Sequence, residues 1–395
     1  MPFPSVYNLL RLATKYPAHF RHQVDKKIKF WSRHQWIDKN ARILERRVPM
    51  PLAYGVELTS QCNLRCPMCY EWGERGWYRE VPERAGFARD EMSWELFQEF
   101  IEQTVSAKPL YTLWGGEPLL YSHFDDAVKM IAGSKCFCYV CTNGTLLAEH
   151  KKAILGNRYL SFIVSIDGLE KEHDEIRGKG MFRKVISNVR ELKSVRRLSP
   201  YIGVELTILP HNVHILEEFC DEMIRVGFDW IVLNLNWFIS TEQKENYEAY
   251  MREAFVITPT AHLGYYNPNF NLDRKVFSEQ FQKIENRKFS VPVTWMPPIK
   301  SGEDINAYID EPEKPLTSAF CNKQWMQADI RRDGSVVACK DWPDYVVGNL
   351  KAQSMDEVWN SNEYKKFRST ICKKGLMPIC SKCYALALYR DKTKD

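Results

Sequence analysis

The sequence predicts an α/β protein: a parallel sheet with helical crossovers, open or closed as a β/α barrel, followed by a small C-terminal unit. Two observations carry the barrel. Six short apolar runs, rich in β-branched or aromatic residues, recur at 53–59, 109–114, 136–141, 161–166, 202–208 and 230–235. Helical patterns separate them, and strand–helix alternation of this kind implies parallel strands joined by helices. A third observation sets the C-terminal unit apart. The alternation weakens from about 239 to 315, and a hairpin-like stretch with its own cysteines follows.

A chain of 395 residues can bury a large core, and two or three domains fit it. The net charge of +5 is too small to point to nucleic acid. No apolar run approaches the ~18 residues of a membrane span. Residues 1–30 never sustain the apolar segment of a signal peptide, so a cytoplasmic location is the expectation. In that reducing compartment the twelve cysteines read as metal ligands or core thiols rather than disulfides.

Residues 1–50 form a basic arm in which Lys26, Lys27, Lys29, Arg33, Lys39, Arg42, Arg46 and Arg47 are interleaved with Phe30, Trp31 and Trp36. The pattern is helical. It reads either as an arm that binds a partner, a membrane surface or an anionic substrate, or as an extension packed on the main domain by its Trp and Leu residues. Pro49 and Pro51 end it. Residues 51–238 carry the alternation. In 182–195, Phe182, Val185, Ile186, Val189 and Leu192 recur at helical spacing. In 212–226, Asn212 is expected to cap the start and Gly227 sits just past the end. Across 239–315, Thr258-Pro259, Pro297-Pro298 and Glu311-Pro312-Glu313 interrupt short helical pieces, so this stretch reads as a bridge beside a substrate pocket. In 316–395, Asp333-Gly334 is a hairpin turn signal between 327–330 and 336–339. A short helix around 356–360 and then Cys380-Ser-Lys-Cys383 follow.

Cys62, Cys66 and Cys69 fall just after the first strand, at the end of the barrel where active sites lie. Three thiolates this close can hold three irons of a [4Fe–4S] cluster, which normally takes four cysteines. The remaining iron is then open, as a position is in catalytic metal sites; zinc with a fourth ligand from elsewhere is the rival. Gly115-Gly116-Glu117-Pro118 follows the second strand. Glycines there let backbone carbonyls approach a ligand, and the carboxylate can pair with an ammonium group. Ser165-Ile166-Asp167-Gly168 ends the fourth strand, and His173-Asp174-Glu175-Ile176-Arg177-Gly178 follows. The arginine fork suits a carboxylate. Taken alone, Ser165 and Asp167 are a polar strand-end turn and Arg177 a surface ion pair.

Together these motifs resemble the radical S-adenosylmethionine (SAM) enzymes. Their signature is Cys-x3-Cys-x2-Cys with an apolar or aromatic residue, here Met68, before the last cysteine. The resemblance implies that Cys62, Cys66 and Cys69 hold a catalytic [4Fe–4S] cluster whose vacant iron is chelated by SAM. It implies that Gly115, Gly116 and Glu117 hold the SAM amino group. Ser165 and Arg177 would contact its methionyl part, with Asp167 of the same motif among the cofactor-binding residues. Thr142-Asn143-Gly144 after the third strand also matches. An electron, from a donor such as flavodoxin or ferredoxin, would cleave SAM to a 5′-deoxyadenosyl radical that abstracts hydrogen from substrate.

Further on, Cys321, Asp333-Gly334, Cys339, Gly348-Asn349-Leu350, Val358-Trp359-Asn360 and Cys380-x2-Cys383 resemble a SPASM domain. The four cysteines 321, 339, 380 and 383 are what one fully ligated cluster needs. No cysteine follows Cys383, so a single auxiliary [4Fe–4S] cluster is expected, with a four-cysteine zinc knot as the rival. The expected fold is thus a partial (β/α)6 radical SAM barrel with a small C-terminal α+β SPASM-like domain. Its divisions are 1–50, 51–238, 239–315 and 316–395.

Five cysteines remain. Cys136 and Cys138 point to one face of a strand and Cys141 to the other, so the three cannot share a metal; buried thiols are ordinary core residues. Cys220 lies on an apolar helix face. Cys372 is a cluster ligand, a hydrogen-atom donor of the kind radical epimerases use, or an unreactive thiol. For substrate, two classes stand: a sugar, aminoglycoside or other metabolite undergoing dehydrogenation or epimerisation, or a ribosomal peptide or protein side chain, as for crosslinking enzymes and sulfatase-type maturases. Residues 1–50 hold no winged-helix leader domain, which tilts the expectation toward the small molecule. A non-catalytic metal-cluster scaffold is the alternative of another class; it has no use for Gly115–Glu117 or Arg177.

Overall fold

The first strand sets the frame. β1, Ala53–Thr59, is buried at every position, because strands flank it on both sides. On one side β2, Leu110–Gly115, pairs parallel to it, and beyond lie β3 (Phe137–Thr142), β4 (Leu160–Ser165), β5 (Tyr201–Ile208), β6 (Trp230–Leu235) and β7 (Val293–Met296), all parallel. On its other side β8, Gln327–Ile330, is also parallel, and β9 (Ser335–Val337) and β10 (Val346–Asn349) continue antiparallel. The sheet has ten strands in the order β10-β9-β8-β1-β2-β3-β4-β5-β6-β7. The computed structural model describes residues 6–43, 46–80, 90–195 and 197–391, without the side chains of 6–10 and 80.

All six expected strands form, each within a residue of its expected bounds. Two features differ from expectation. Val293–Met296 is a seventh parallel strand inside the stretch read as a bridge; flanking Pro292 and Pro297 disguise four β-prone residues as a loop. The C-terminal unit is not a separate layer either. Its hairpin, turned at Asp333-Gly334 with Gly334 at φ +86°, extends the barrel sheet through β8.

Helices cover the outside of the sheet. On Met181–Ser194, Phe182, Val185, Ile186, Val189 and Leu192 are all buried, as their spacing requires. Leu216–Val226 ends at Gly227 in the left-handed region, φ +105°. Asn212 does not cap it. Its side chain accepts from Leu209 N–H at 2.8 Å and donates to the Asp167 and Thr207 carbonyls at 2.9 and 2.8 Å. A polar residue between strand and helix carries the local signal of a cap, but here it pins two strand ends together.

The outward positions Phe162, Val164, Val204 and Leu206 are fully buried, while the inward Ile163, Ser165, Glu205 and Thr207 keep accessible surface. The barrel therefore encloses a lumen rather than a packed core.

The N-terminal arm lies across the N-terminal ends of the strands as the helices Val6–Lys15 and Pro17–Asn40. His19 stacks on Tyr201 and His22 on Phe137, both at 4.1 Å between centroids. Gln23 donates to the Tyr139 hydroxyl at 2.8 Å. Asp229, buried between β5 and β6, gathers Arg11, Lys15, Tyr16 and Lys193. The arm packs on the barrel through these polar and aromatic residues, while Ile28 and Trp31 stay exposed. Among the described residues no helix is long and apolar enough to cross a membrane.

Candidate active site

The loop after β1 carries Cys62, Cys66 and Cys69. Gly73 folds it back on itself: its N–H donates to Cys69 O at 2.7 Å, and a Cβ there would lie 2.4 Å from Cys69 O and Pro67 O. The loop is fastened from two sides. Asn143 Nδ2 donates to Asn63 Oδ1 at 2.8 Å, and Asn63 Nδ2 donates to Thr145 Oγ1 at 2.9 Å. Trp72 Nε1 donates to Ser60 O at 2.8 Å, and the Arg65 guanidinium lies 4.2 Å over the Trp72 ring.

Gly115 and Gly116 lie directly against this loop. A Cβ on Gly115, at φ +139°, would meet Thr59 O at 2.2 Å, and one on Gly116 would meet Gln61 O at 2.3 Å. Gly116 N–H bonds Thr59 O at 2.9 Å and Glu117 N–H bonds Gln61 O at 2.7 Å. The glycines are therefore required first for close approach of β2 to the cysteine loop. Glu117 is fully buried. It accepts from Thr142 Oγ1 at 2.6 Å, Leu119 N–H at 3.1 Å and Asn143 N–H at 2.7 Å, so it couples the ends of β2 and β3 while facing the same rim. Burial pushes its carboxyl above the usual range, against those three hydrogen bonds.

Across the rim, Arg177 Nε donates to Asp167 Oδ2 at 2.6 Å, and both side chains are nearly buried. Asp167 Oδ1 accepts Thr207 N–H at 3.1 Å, and Asp167 N–H donates to His173 Nδ1 at 3.2 Å. Burial and the Arg177 charge hold His173 down to about 4, so it is neutral. Arg177 lies within electrostatic reach of Cys66 and Cys69, which together with Asp167 keep it firmly charged. Ser165 is half-buried at the end of β4, paired in register with Glu205 of β5. The structure thus brings Cys62, Cys66, Cys69, Gly115, Gly116, Glu117, Ser165, Asp167 and Arg177 to one end of the barrel. Asp167 serves there as the anchor of Arg177.

The sulfur surroundings suit an iron–sulfur cluster. Leu64 N–H points to Cys62 Sγ and Trp72 N–H to Cys69 Sγ, each at 3.4 Å. Such bonds and the nearby Arg177 cation favour the thiolate over the thiol. Burial opposes them, pushing Cys62 up to about 12 and Cys69 up to about 11, and the thiols repel one another as anions. Bound iron would offset that repulsion. Among the described residues no group of three or more His, Cys, Asp or Glu side chains is gathered as tightly as a single metal ion needs. A cubane of four irons is far wider than one ion.

The second set is Cys321, Cys339, Cys380 and Cys383. Burial raises all four, and each lies within electrostatic reach of others of the set; Cys380 meets the other three. The buried Lys323–Asp329 ion pair stands beside them. Cys372 is not brought to this set. It is half-buried on the helix Asn362–Lys374, and its thiol donates to Ala41 O of the N-terminal arm at 3.5 Å, away from both cysteine groups. Cys136, Cys138 and Cys220 are buried as core thiols. Cys141 faces the lumen and keeps accessible surface.

Sequence reasoning missed Thr145, the fastening of Asn63 to Asn143 and Thr145, and the clasp made by Asn212. Each rests on a polar loop residue whose value depends on a partner far along the chain. It also missed Lys340 and Glu205 in the lumen. The signal for Glu205 was available: a lone carboxylate at an inward position of an otherwise apolar strand.

Comparison with known proteins agrees with this geometry. The Radical SAM superfamily matches residues 56–222, and the SPASM iron–sulfur cluster-binding domain matches residues 321–384. The chain is a radical SAM enzyme with a C-terminal SPASM domain. The first domain implies a [4Fe–4S] cluster and SAM, and the second implies auxiliary iron–sulfur clusters. The chain is similar to the tungsten-containing aldehyde ferredoxin oxidoreductase cofactor-modifying protein of Pyrococcus furiosus, 24% identical over 354 residues that span 83% of this chain and 86% of that one. It is also similar to the antilisterial bacteriocin subtilosin biosynthesis protein AlbA of Bacillus subtilis, 22% identical over 360 residues, 87% of this chain and 69% of AlbA. In fold it matches Streptococcus suis SuiB bound to S-adenosylmethionine, with a TM-score of 0.60 at 15% identity over 93% of this chain and 79% of that one. SuiB bound to its precursor peptide SuiA matches with a TM-score of 0.59 at 15% identity, over 90% and 75%.

Proposed function

We propose that this enzyme begins its reaction by hydrogen abstraction from an unactivated C–H bond of a peptide held in the barrel lumen. The observation that carries the reading is the convergence of the Cys62–Cys69 loop, the Gly115–Glu117 turn and the Asp167–Arg177 pair on one end of a hollow barrel. Cys62, Cys66 and Cys69 would hold the catalytic cluster, and Cys321, Cys339, Cys380 and Cys383 a single auxiliary one. When bound, the catalytic cluster and SAM supply a radical able to take a hydrogen atom from carbon.

The chain's own residues do the rest. Arg177, oriented by Asp167, would offer its remaining N–H groups to the SAM carboxylate. The Gly115-Gly116 carbonyls and Glu117 would receive its ammonium group, and Ser165 would offer a hydroxyl at the end of β4. The N-terminal helices close the far end of the lumen, which limits water there. The names of AlbA and of SuiB bound to SuiA support a peptide substrate. The name of the Pyrococcus relative supports a second reading, modification of a smaller cofactor-like molecule. A flavodoxin or ferredoxin would serve as electron donor.

The test is anaerobic reconstitution followed by dithionite and SAM. 5′-Deoxyadenosine should form at about eight irons bound per chain, and alanine at Cys62, Cys66 and Cys69 should abolish it while the C-terminal cluster spectrum stays. Absence of 5′-deoxyadenosine from a fully loaded chain would overturn the reading.

A further inference from the structure

Among the described residues, β5 brings into the lumen a carboxylate without a counter-cation. Glu205, on β5, points inward and keeps accessible surface. Its one hydrogen bond is from Asn234 Nδ2 on β6, at 2.6 Å. The cations that face it are committed elsewhere: Lys340 Nζ lies 2.6 Å from Asp341 Oδ1, and Arg177 Nε lies 2.6 Å from Asp167 Oδ2. No cation among the described residues is within ion-pair distance of Glu205. Its neighbours divide accordingly. Burial, with Asp167, outweighs Asn234, Lys340 and Arg177 and holds its carboxyl above the usual carboxylate range, as an acid with no paired cation would be.

A carboxylate kept in such a place is costly unless something pairs with it. The walls already suit a positive charge. Lys340 Nζ lies 5.3 Å from the Trp114 ring centroid and 5.2 Å from that of Tyr384, so aromatic faces already stabilise one of the cations within electrostatic reach of Glu205. Glu205 sits directly beside Ser165 in register, next to the cofactor end of the barrel. A group held at Glu205 is therefore a neighbour of the reacting end.

We propose that the substrate carries a primary ammonium or guanidinium group, and that Glu205, oriented by Asn234, anchors it in the lumen. The same chemistry is offered by a lysine or arginine side chain within a peptide and by a free amino sugar or polyamine. The inference rests on the lumen being the reaction chamber.

The experiment is calorimetric titration of the cluster-loaded, SAM-bound enzyme with four probes: N-acetyl-lysine methylamide, its neutral counterpart N-acetyl-norleucine methylamide, glucosamine and N-acetylglucosamine. At least one cationic probe should bind about tenfold or more tightly than its neutral counterpart, and Glu205→Gln should remove that preference. Preference for the lysine probe alone points to a peptide side chain, and for glucosamine alone to a free amine. Should Glu205→Gln fail to fold, as judged by its thermal unfolding, Asn234→Ala takes its place and should reduce the preference by a smaller factor. Equal binding of charged and neutral probes, binding of none, or a preference that survives the substitution overturns the proposal. Dithionite-driven SAM cleavage by the unmodified enzyme without probe keeps the two readings apart. If it fails, the radical SAM reading of the site is at fault; if it succeeds while the probes are not discriminated, only the role of Glu205 falls.

Discussion

Glu57 Oε1 and Arg332 Nη1 lie 2.8 Å apart, both side chains buried, and this contact ties the first barrel strand to the C-terminal hairpin. Arg331 Nε adds 2.6 Å to Glu57 Oε2, and the Tyr78 hydroxyl donates to Glu57 Oε1 at 2.8 Å. The Arg331 guanidinium also lies 4.2 Å over the Trp77 ring. Two domains that each hold a cysteine set are thus locked to the same carboxylate, and Tyr78 extends the lock to the segment that follows the cysteine loop.

Removing one partner of such a group leaves a buried charge undercompensated. Arg332→Met should cost about 3 kcal/mol, near the lower end for a broken buried pair because Arg331 stays. The measurement is the urea midpoint of unfolding. A midpoint equal to wild type would mean that the pair contributes nothing net.

Gly116 constrains the catalytic loop closely, since a Cβ would sit 2.3 Å from Gln61 O and 2.5 Å from Ser60 O, both backbone atoms. Backbone cannot swing aside as a side-chain tip can. Gly116→Ala should therefore displace residues 59–62 and with them Cys62. Iron content should fall from about eight to about four per chain, with the C-terminal cluster kept. Retention of all the iron would show that the loop shifts without losing its cluster.

Much of this was legible in the sequence because the barrel repeats one local pattern. β1 to β6 are short apolar runs between helical periods, and the cysteine, Gly-Gly-Glu and Ser-x-Asp-Gly motifs each fall where a strand ends. What was hidden depends on contacts made at long range. Nothing local in Val293–Met296 says that a strand between two prolines will pair with β6. Nothing in Gln327–Ile330 says that it will join β1. Asn212 looks like a helix cap because the local signal for a cap and for a strand-end clasp is the same polar residue. Glu205 was legible as a residue but not as a site, since its lack of a cation depends on β5, β6, the Asp167–Arg177 pair and the residue after Cys339 taken together.

Cys372 separates the two cysteine roles. Its thiol donates to the Ala41 carbonyl at 3.5 Å, and burial raises it against the nearby Arg42 charge. Cys372→Ser should leave iron content and both cluster spectra unchanged, and should alter stability by no more than about 0.5 kcal/mol. Loss of one cluster in this variant would return Cys372 to the ligands.

The N-terminal arm should make stability depend on pH through His19 and His22. Burial holds both down to about 3, helped by the Lys26 charge and opposed at His19 by Asp229. A histidine whose folded value is depressed binds fewer protons in the folded state than in the unfolded one. Its contribution is therefore full above pH 6.5, the ordinary value, and is lost as pH falls below it. At pH 5 the loss is about 2 kcal/mol for each ring. His22→Phe should keep the stack on Phe137 and remove one titrating ring. Comparing urea midpoints at pH 7 and pH 5, the wild-type midpoint should drop further than that of His22→Phe, because the carboxylates that also titrate are common to both. Parallel drops in the two proteins would show that His22 is not held neutral against the barrel.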